Sequence, residues 1–183
     1  GAVNPAEEGF DIAIGARPES YGQVQDHPLC RIQRRLCASP AYLERRAMPE
    51  TPAQLLDHDC LVFATSGLPW EFLGPQGLVG VEVLPRLKTN DAMALCRATL
   101  AGQGIAVLAD YLVAPHLRSG TLVEVLPQLH PPDLWLKALV PGSRIELPRI
   151  QALLRRLQGQ LALSPLSQPM SDMHATRNSE VAS

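Results

Sequence analysis

The clearest helical pattern of apolar and polar residues lies within residues 88–108. A short polar side chain, Asn90 or Thr89, precedes the apolar residues and is predicted to cap a helix. Asp91 is then predicted to lie in the first turn, where a negative charge stabilises the positive end of the helix. Apolar residues recur at steps of three and four, which is the helical period, at Met93, Cys96 and Leu100.

A glycine turn and a second apolar run follow this helix. Gly102 and Gly104 are predicted to end the helix, because glycine adopts the left-handed conformation that helix exits often need. Residues 105–108 are continuously apolar, which is typical of a strand covered on both faces. The resulting strand–helix–strand unit places a helix N-terminus at a sheet edge, where open α/β folds bind their ligands.

The remaining pattern alternates between strands and helices, which predicts an α/β fold. Predicted strands cover residues 10–15, 60–64, 70–73, 78–83, 122–126 and 134–140, and residues 26–37 are predicted to be extended. Predicted helices cover residues 41–46, 51–58 and 110–117, the last capped by Asp110, and a final helix begins at Pro148. Trp70 and Trp135 are predicted to lie in the core.

Composition narrows the class of protein. The 183 residues are 46% hydrophobic, which is enough for one domain or two small lobes, and the net charge of -2 comes with scattered basic residues. A basic nucleic-acid-binding face is therefore not expected. The sequence has no run of 18 apolar residues and starts with neither a signal peptide nor Met, so a fragment that does not cross a membrane is expected.

The sequence contains few residue patterns that are typical of catalysis or metal binding. The four cysteines are irregularly spaced and are predicted to be free, buried thiols in a reducing cytoplasm. The histidines lack ligand spacing, so neither a metal site nor a cofactor is predicted. No serine lies in a G-x-S-x-G frame and no carboxylates pair convincingly, so an enzyme is not expected.

An ordered set of segments resembles one family. The set of segments includes Arg35-Leu36-Cys37-Ala38-Ser39-Pro40-Ala41-Tyr42-Leu43, Thr51-Pro52-Ala53-Gln54-Leu55-Leu56, Ala101-Gly102-Gln103-Gly104-Ile105-Ala106 and Leu117-Arg118-Ser119-Gly120-Thr121-Leu122-Val123-Glu124-Val125-Leu126-Pro127. From about Val3 to Leu161 the chain thereby resembles the effector-binding (substrate-binding) domain of LysR-type transcriptional regulators. Two departures from the family pattern are Gly15, where many members carry Arg, and Ala109, where Pro is common.

The resemblance implies a periplasmic-binding-protein type II-like fold of two α/β subdomains joined by crossing strands. Subdomain I, expected to be incomplete at its N-terminal side, would comprise residues 1–31 and 131–161. Subdomain II would comprise residues 32–130, and residues 162–183 would form a disordered tail. The implied partners are a small-molecule effector in the intersubdomain cleft and further copies of the chain in a dimer or tetramer. DNA would be bound only through a winged helix-turn-helix that this chain lacks.

The predicted effector site combines strand ends and one helix start. Hydroxyl groups after the strand at residues 60–64 and the polar residues at the start of the helix described first are the main candidates. Ordinary turn formation and helix capping explain the same residue types, so both interpretations stay open. The candidate effector-binding residues are Gly15, Ala16, Phe63, Thr65, Ser66, Asn90 and Asp91.

Other functions remain as alternatives. A solute-binding protein of a transporter shares the implied fold, although four unpaired cysteines argue against an oxidising compartment. An α/β enzyme of unknown class has no supporting nucleophile–base pair. A further alternative is that the truncated chain has no function alone. It would then expose apolar surface that a complete domain buries and would tend to aggregate.

Overall fold

The structure, a computed structural model, describes residues 5–7, 9–16, 22–64 and 66–162. The strands of this part are β1 (Ala13–Gly15), β2 (Val24–Ile32), β3 (Arg34–Ala38), β4 (Cys60–Phe63), β5 (Trp70–Gly74), β6 (Gly77–Val81), β7 (Pro85–Thr89), β8 (Ile105–Ala109), β9 (Val123–Glu124) and β10 (Leu134–Pro141). The helices are α1 (Pro40–Arg45), a 3₁₀ helix (Pro52–Asp57), α2 (Ala92–Leu100), α3 (Asp110–Ser119) and α4 (Pro148–Ala162).

The described strands form a five-stranded sheet, a three-stranded sheet and a hairpin. The five-stranded sheet has the order β7-β4-β8-β3-β9, in which β4 is parallel to β7 and β8 while β3 is antiparallel to β8 and β9. The three-stranded sheet has the order β1-β10-β2 and is antiparallel. The hairpin pairs β5 with β6, as the sequence predicts.

Both faces of the five-stranded sheet are covered. Leu36 and Cys37 are neighbours on β3 and point to opposite faces, because side chains alternate along a strand. The Leu36 face packs against Tyr42 of α1 and Phe72 of the hairpin. The Cys37 face packs against α2 and α3, so the apolar run of β8 is buried as predicted.

The three-stranded sheet has a core of its own. Ala138 and Val140 of β10 pack against Ile150 and Leu154 of α4. Trp135 points to the other face and is 47% exposed, so its predicted core position is wrong. The apolar residues of this sheet alternate between a face covered by α4 and a more open face, and Trp135 lies on the open one.

Several helix starts and ends differ from the sequence prediction. Asp91, not Asn90 or Thr89, is the N-cap of α2, and Met93 is 50% exposed instead of lying on the buried face. Asp110 is the first residue of α3 and does not cap it. The capping serine of α1 and the capping box at Thr51 are confirmed.

Two strands also differ from the sequence prediction, and most of the predicted tail lies outside the described residues. The predicted extended segment 26–37 is two strands of different sheets, β2 and β3, separated by Gln33. The predicted strand 122–126 shortens to β9. Of the predicted tail, Ala162 is the last residue of α4, and residues 163–183 lie outside the described residues.

Candidate functional site

Parallel strands bring several predicted site residues to one edge of the five-stranded sheet. β4, β7 and β8 all end there, at Phe63, Thr89 and Ala109, and this edge is called the carboxyl edge below. Phe63 lies opposite Thr89 in the ladder, and the amide of Ala64 donates to the carbonyl of Thr89 over 2.8 Å. The turns after β4 and β7 are therefore fixed to each other.

The polar residues at the start of α2 mainly serve the helix itself. The Asp91 carboxylate accepts from the amides of Met93 and Ala94 at 2.9 and 3.0 Å. The amide of Asp91 in turn donates to the hydroxyl of Thr89 at 3.1 Å. Two amides at the helix start are thus satisfied by a carboxylate, so this end does not offer the open anion site that a bare helix N-terminus provides. Asn90 is exposed beside it.

The turn after β4 faces a cavity. The Ser66 hydroxyl donates to the carbonyl of Phe63 at 3.3 Å, and the amide of Gly67 donates to the same carbonyl at 3.2 Å. Gly67 has a φ of +68°, a conformation that glycine adopts without strain. Phe63 itself is half-buried and packs towards α2 and α3. Thr65, the other hydroxyl residue predicted here, lies outside the described residues.

Ser66 contributes to a small polar cavity of about 50 Å³ at the carboxyl edge. Its other principal residues were not predicted from the sequence. They come from distant segments that share no motif, and only the fold brings them together. The polar cavity is lined by Arg34, Ser66, Trp70, Glu71, Val107 and Pro131, with Gly67 and Pro69.

Arg34 is the cation of the polar cavity. Its Nε donates to the carbonyl of Pro132 at 2.8 Å, and its Nη2 donates to the same oxygen. Burial lowers the pKa of Arg34, while the charges of Asp133 and Glu71 act in the opposite direction. A guanidinium stays protonated under such conditions, so the cavity combines a fixed positive charge, a carboxylate and a hydroxyl.

A second arginine organises the neighbouring elements. Arg35 donates from Nε to Asp110 at 2.8 Å and from Nη1 to Glu124 at 3.1 Å. Burial acts to lower the pKa of Arg35, but its hydrogen bonds to Glu124 and Asp110 outweigh this and raise it. The start of α3 and strand β9 are thereby tied to β3.

The polar cavity lies beside both connections between the two larger sheets. β2 runs into β3 through Gln33 alone, whose carbonyl accepts from the amide of Asp110 at 2.9 Å. The return connection, residues 125–133, includes the Pro132 carbonyl bound by Arg34. One arginine therefore joins the two connections.

Gly15 and Ala16 lie on the other sheet. Gly15 ends β1 opposite Lys137, whose ammonium group forms an ion pair with Asp26 at 2.9 Å. A Cβ atom at Gly15 would meet nothing within 4 Å. Gly15 and the following Ala16 thus lie in or beside a different sheet from the other described candidates.

Reactive and metal-binding groups do not cluster in the described part of the chain. Cys30, Cys37, Cys60 and Cys96 are free and buried there, as predicted. Burial is the main cause that raises the pKa of Cys37 and of Cys60 to about 12, which disfavours the reactive thiolate. Among the described residues, no group of three or more His, Cys, Asp or Glu could hold a metal ion. No helix within them is long and apolar enough to span a bilayer.

Comparison with known sequences identifies relatives over most of the chain. The family model "LysR substrate binding domain" matches residues 2–162. The chain is 32% identical over 130 residues to the HTH-type transcriptional activator TtdR of Escherichia coli, covering 69% of this chain and 42% of TtdR. It is 29% identical over 178 residues to the HTH-type transcriptional regulator PtxR of Pseudomonas aeruginosa, covering 91% of this chain and 57% of PtxR. The chain thus spans about half the length of these relatives.

Solved structures agree with the sequence comparison. The regulatory domain of CrgA, a LysR-type transcriptional regulator of Neisseria meningitidis, superposes with a TM-score of 0.69 at 26% identity, over 85% of this chain and 78% of that one. Full-length AphB of Vibrio cholerae gives a TM-score of 0.70 at 21% identity, over 86% and 54% of the two chains, which supports the fold alone. The predicted periplasmic-binding-protein type II-like fold is confirmed. The chain belongs to the LysR substrate-binding domain family, the effector-binding domain of LysR-type transcriptional regulators.

Proposed function

We propose that the chain is the effector-sensing part of a bacterial DNA-binding regulator and binds a small-molecule inducer at the carboxyl edge. The observation that carries this proposal is the polar cavity, in which Ser66, Arg34 and Glu71 converge beside both connections between the sheets. A ligand placed there contacts Arg34, which joins the two connections between the sheets. DNA binding is assigned to another part of the regulator. The regulator is proposed to act in the cytoplasm.

The proposed unit has two subdomains with the boundaries that the family resemblance implies. Residues 32–130 would form subdomain II, and residues 1–31 with 131–161 would form the part of subdomain I that this chain contains. Support comes from the sheet order, since the described strands between β2 and β10 belong to the five-stranded sheet and the hairpin. The effector would bind between these units.

The proposed mechanism is a shift between two arrangements of the subdomains. An effector changes their populations only through its different affinity for each arrangement. Because LysR-type regulators oligomerise, a change at the connections would alter the packing of subunits in a dimer or tetramer. The coupling of effector and DNA affinity would then be reciprocal.

The polar cavity holds little more than one functional group. At about 50 Å³ it accommodates the polar end of an effector, while the rest of the molecule extends along the carboxyl edge. Phe63, Thr65, Asn90 and Asp91 are proposed to contact that extended part. Gly15 and Ala16 are proposed to approach it from the other sheet, where the open space at Gly15 leaves room for a ligand.

The test begins with a thermal-shift screen of small organic acids, amines and amino acids on the full chain. For each hit, calorimetry then compares the wild type with Ser66→Ala and Thr65→Ala. Loss of one hydrogen bond to the ligand is expected to weaken binding about fivefold to tenfold. Ser119→Ala is the matched control, because its hydroxyl bonds the carbonyl of His116 at the end of α3.

The results test separately whether the turn after β4 is part of the site and whether the protein binds its ligand without converting it. Unchanged affinity in both Ser66→Ala and Thr65→Ala would show that the turn after β4 is not part of the site. An equal loss in Ser119→Ala would show that the effect is not local. A hit that is chemically converted by the protein would overturn the assignment as a binding module.

A further inference from the structure

A second concave surface lies at the opposite end of the five-stranded sheet. β3 runs antiparallel to β8, so its end and the following helix α1 lie at the amino ends of β4 and β8, away from the carboxyl edge. Between α1 and the 3₁₀ helix is a concavity of about 500 Å³, a volume within the range of small-molecule sites. This arginine concavity is lined mainly by Arg45, Arg46, Met48, Pro49, Asp57 and His58.

Two guanidinium groups of the arginine concavity are held by backbone carbonyls. Arg45 donates from Nη2 to the carbonyl of Gly102 at 2.7 Å and from Nη1 to that of Ala41 at 3.2 Å. Arg46 donates from Nη2 to the carbonyl of Asp57. In the described part of the chain, neither arginine forms an ion pair with a carboxylate. Each guanidinium has five N–H donors, so both arginines retain donors and a full charge for a ligand.

His58 of the lining is held by Tyr42. The Tyr42 hydroxyl accepts from the amide of Asp59 at 2.9 Å and lies 3.0 Å from Nδ1 of His58. These contacts hold the imidazole beside α1.

The remaining lining determines the class of ligand. Two arginines against the one carboxylate of Asp57 leave the lining with a net positive charge. Met48 and Pro49 add an apolar wall, and Met48 is exposed to solvent. Cationic donors beside an apolar wall fit an anion with a hydrocarbon body, because each part of such a ligand finds a matching surface.

We propose that the arginine concavity binds a small organic carboxylate with an apolar body, at a site separate from the carboxyl edge. Arg46 and Arg45 bind the carboxylate group, and Met48 and Pro49 contact the hydrocarbon part. Asp57 opposes the bound charge and so limits the affinity. The proposal does not depend on the function proposed above, because the two sites share no lining residue.

The test uses cyclohexanecarboxylate as the probe and its uncharged amide, cyclohexanecarboxamide, as the charge control. The full ¹⁵N-labelled chain is titrated and followed by NMR. Amides of residues 42–58 are expected to shift with the carboxylate, and binding of the amide is expected to be at least fivefold weaker. Arg46→Gln should weaken carboxylate binding about fivefold, while Asp57→Asn should tighten it about twofold to fivefold, the range expected for exposed charge pairs.

Opposite signs from two neighbouring substitutions exclude a general loss of structure. Arg46→Lys keeps the charge and is expected to retain part of the affinity, and Ser119→Ala at the end of α3 is expected to retain all of it. Shifts confined to the carboxyl edge, equal binding of carboxylate and amide, or a Kd unaffected by both Arg46→Gln and Asp57→Asn would overturn the proposal. Equal competition by inorganic phosphate would show charge attraction alone, which also overturns the assigned ligand class.

Discussion

The Tyr42 hydroxyl is a junction between α1 and the segment that follows the 3₁₀ helix. Tyr42 is fully buried, and its oxygen contacts the amide of Asp59 and the ring of His58. Burial is the largest cause that lowers the pKa of His58, and the charge of Arg46 adds to it, against the opposing charges of Asp57 and Asp59. The folded protein therefore favours the neutral form of His58, in which one ring nitrogen accepts hydrogen bonds and the other donates.

This arrangement predicts a pH-dependent stability. Because the pKa of His58 in the folded chain lies below its ordinary value of 6.5, the unfolded chain takes up a proton first as the pH falls. The stabilising contribution is complete above about pH 6.5 and is lost progressively as the pH falls towards the folded pKa. Urea unfolding at pH 7.5 and 5.5 should show a smaller decrease for His58→Gln than for the wild type. Equal decreases would contradict the prediction.

Gly104 is required for a close approach between two chain segments. A Cβ atom there would lie 2.1 Å from the carbonyl oxygen of Asp59, a backbone atom that cannot move aside independently. The amide of Ile105 donates to that same carbonyl at 2.9 Å, which holds the two segments together. Of the two glycines predicted to end α2, Gly102 follows the C-cap Ala101 with a φ of +73°, whereas Gly104 serves this close approach.

Gly104→Ala is expected to lower the free energy of unfolding by about 3 kcal/mol, the upper range for overpacking a tight site. Gly159→Ala in α4 is the matched control, because nothing lies within 4 Å of a Cβ atom there. In that helix interior the same substitution should stabilise by about 0.5–1 kcal/mol. Urea unfolding measures both values, and a destabilisation below about 1 kcal/mol for Gly104→Ala would contradict the predicted clash.

At the scale of elements, the helices with explicit end signals were predictable. Ser39-Pro40 and the capping box at Thr51 mark their helix starts because the capping chemistry is local. The choice among Thr89, Asn90 and Asp91 was not predictable, since all three residues can cap and only the path of β7 into α2 selects one. In the same way, Asp110 is engaged by Arg35, a partner 75 residues away.

The corrected cap predicts different effects for two adjacent residues. Asp91→Ala removes the acceptor of the Met93 and Ala94 amides and should lower the free energy of unfolding by about 1 kcal/mol. Asn90→Ala, the control, should change it by less than about 0.5 kcal/mol, because Asn90 is an exposed residue away from the cap. Urea unfolding of both variants provides the measurement. A larger loss for Asn90→Ala would restore the cap predicted from the sequence.

The candidate site was only partly predictable, because only the fold brings some of its residues together. Ser66 was found because a polar turn after a buried strand is a local pattern. Arg34 and Glu71 were not, because an arginine in one strand and a glutamate in another have no sequence signature as a pair. Trp135 shows the converse limit, since a large apolar residue in a strand does not reveal which face of the sheet is covered.

At the scale of the whole molecule, Arg34 joins the two connections between the sheets. It donates twice to the Pro132 carbonyl, while Arg31 and Asp133 form a neighbouring ion pair at 3.2 Å whose side chains are about a third exposed. The first contact is the better shielded from solvent. Arg34 is therefore expected to contribute more than Arg31 to holding the two sheets in their relative positions.

Arg34→Met should lower the free energy of unfolding by about 2 kcal/mol, the range for a hydrogen bond to a charged donor. It should also accelerate hydrogen exchange at residues 128–134 while leaving the core strand β8 protected under native conditions. Arg31→Ala is the control and should cost at most about 1 kcal/mol, because its ion pair is partly exposed. Exchange that accelerates uniformly in Arg34→Met would mean that the arginine supports the fold as a whole.

The single-residue link at Gln33 has a consequence for protein engineering. The chain leaves the three-stranded sheet at Ile32 and returns to it at Leu134, and Arg34 holds the outgoing segment to the carbonyl of Pro132. The intervening segment therefore begins and ends at nearly the same point. It is expected to be transplantable as a cassette: residues 34–132 of this chain, inserted between the matching strands of a related regulator, need no added linker, and the chimera would keep the ligand contacts of the cassette within the oligomer of its host.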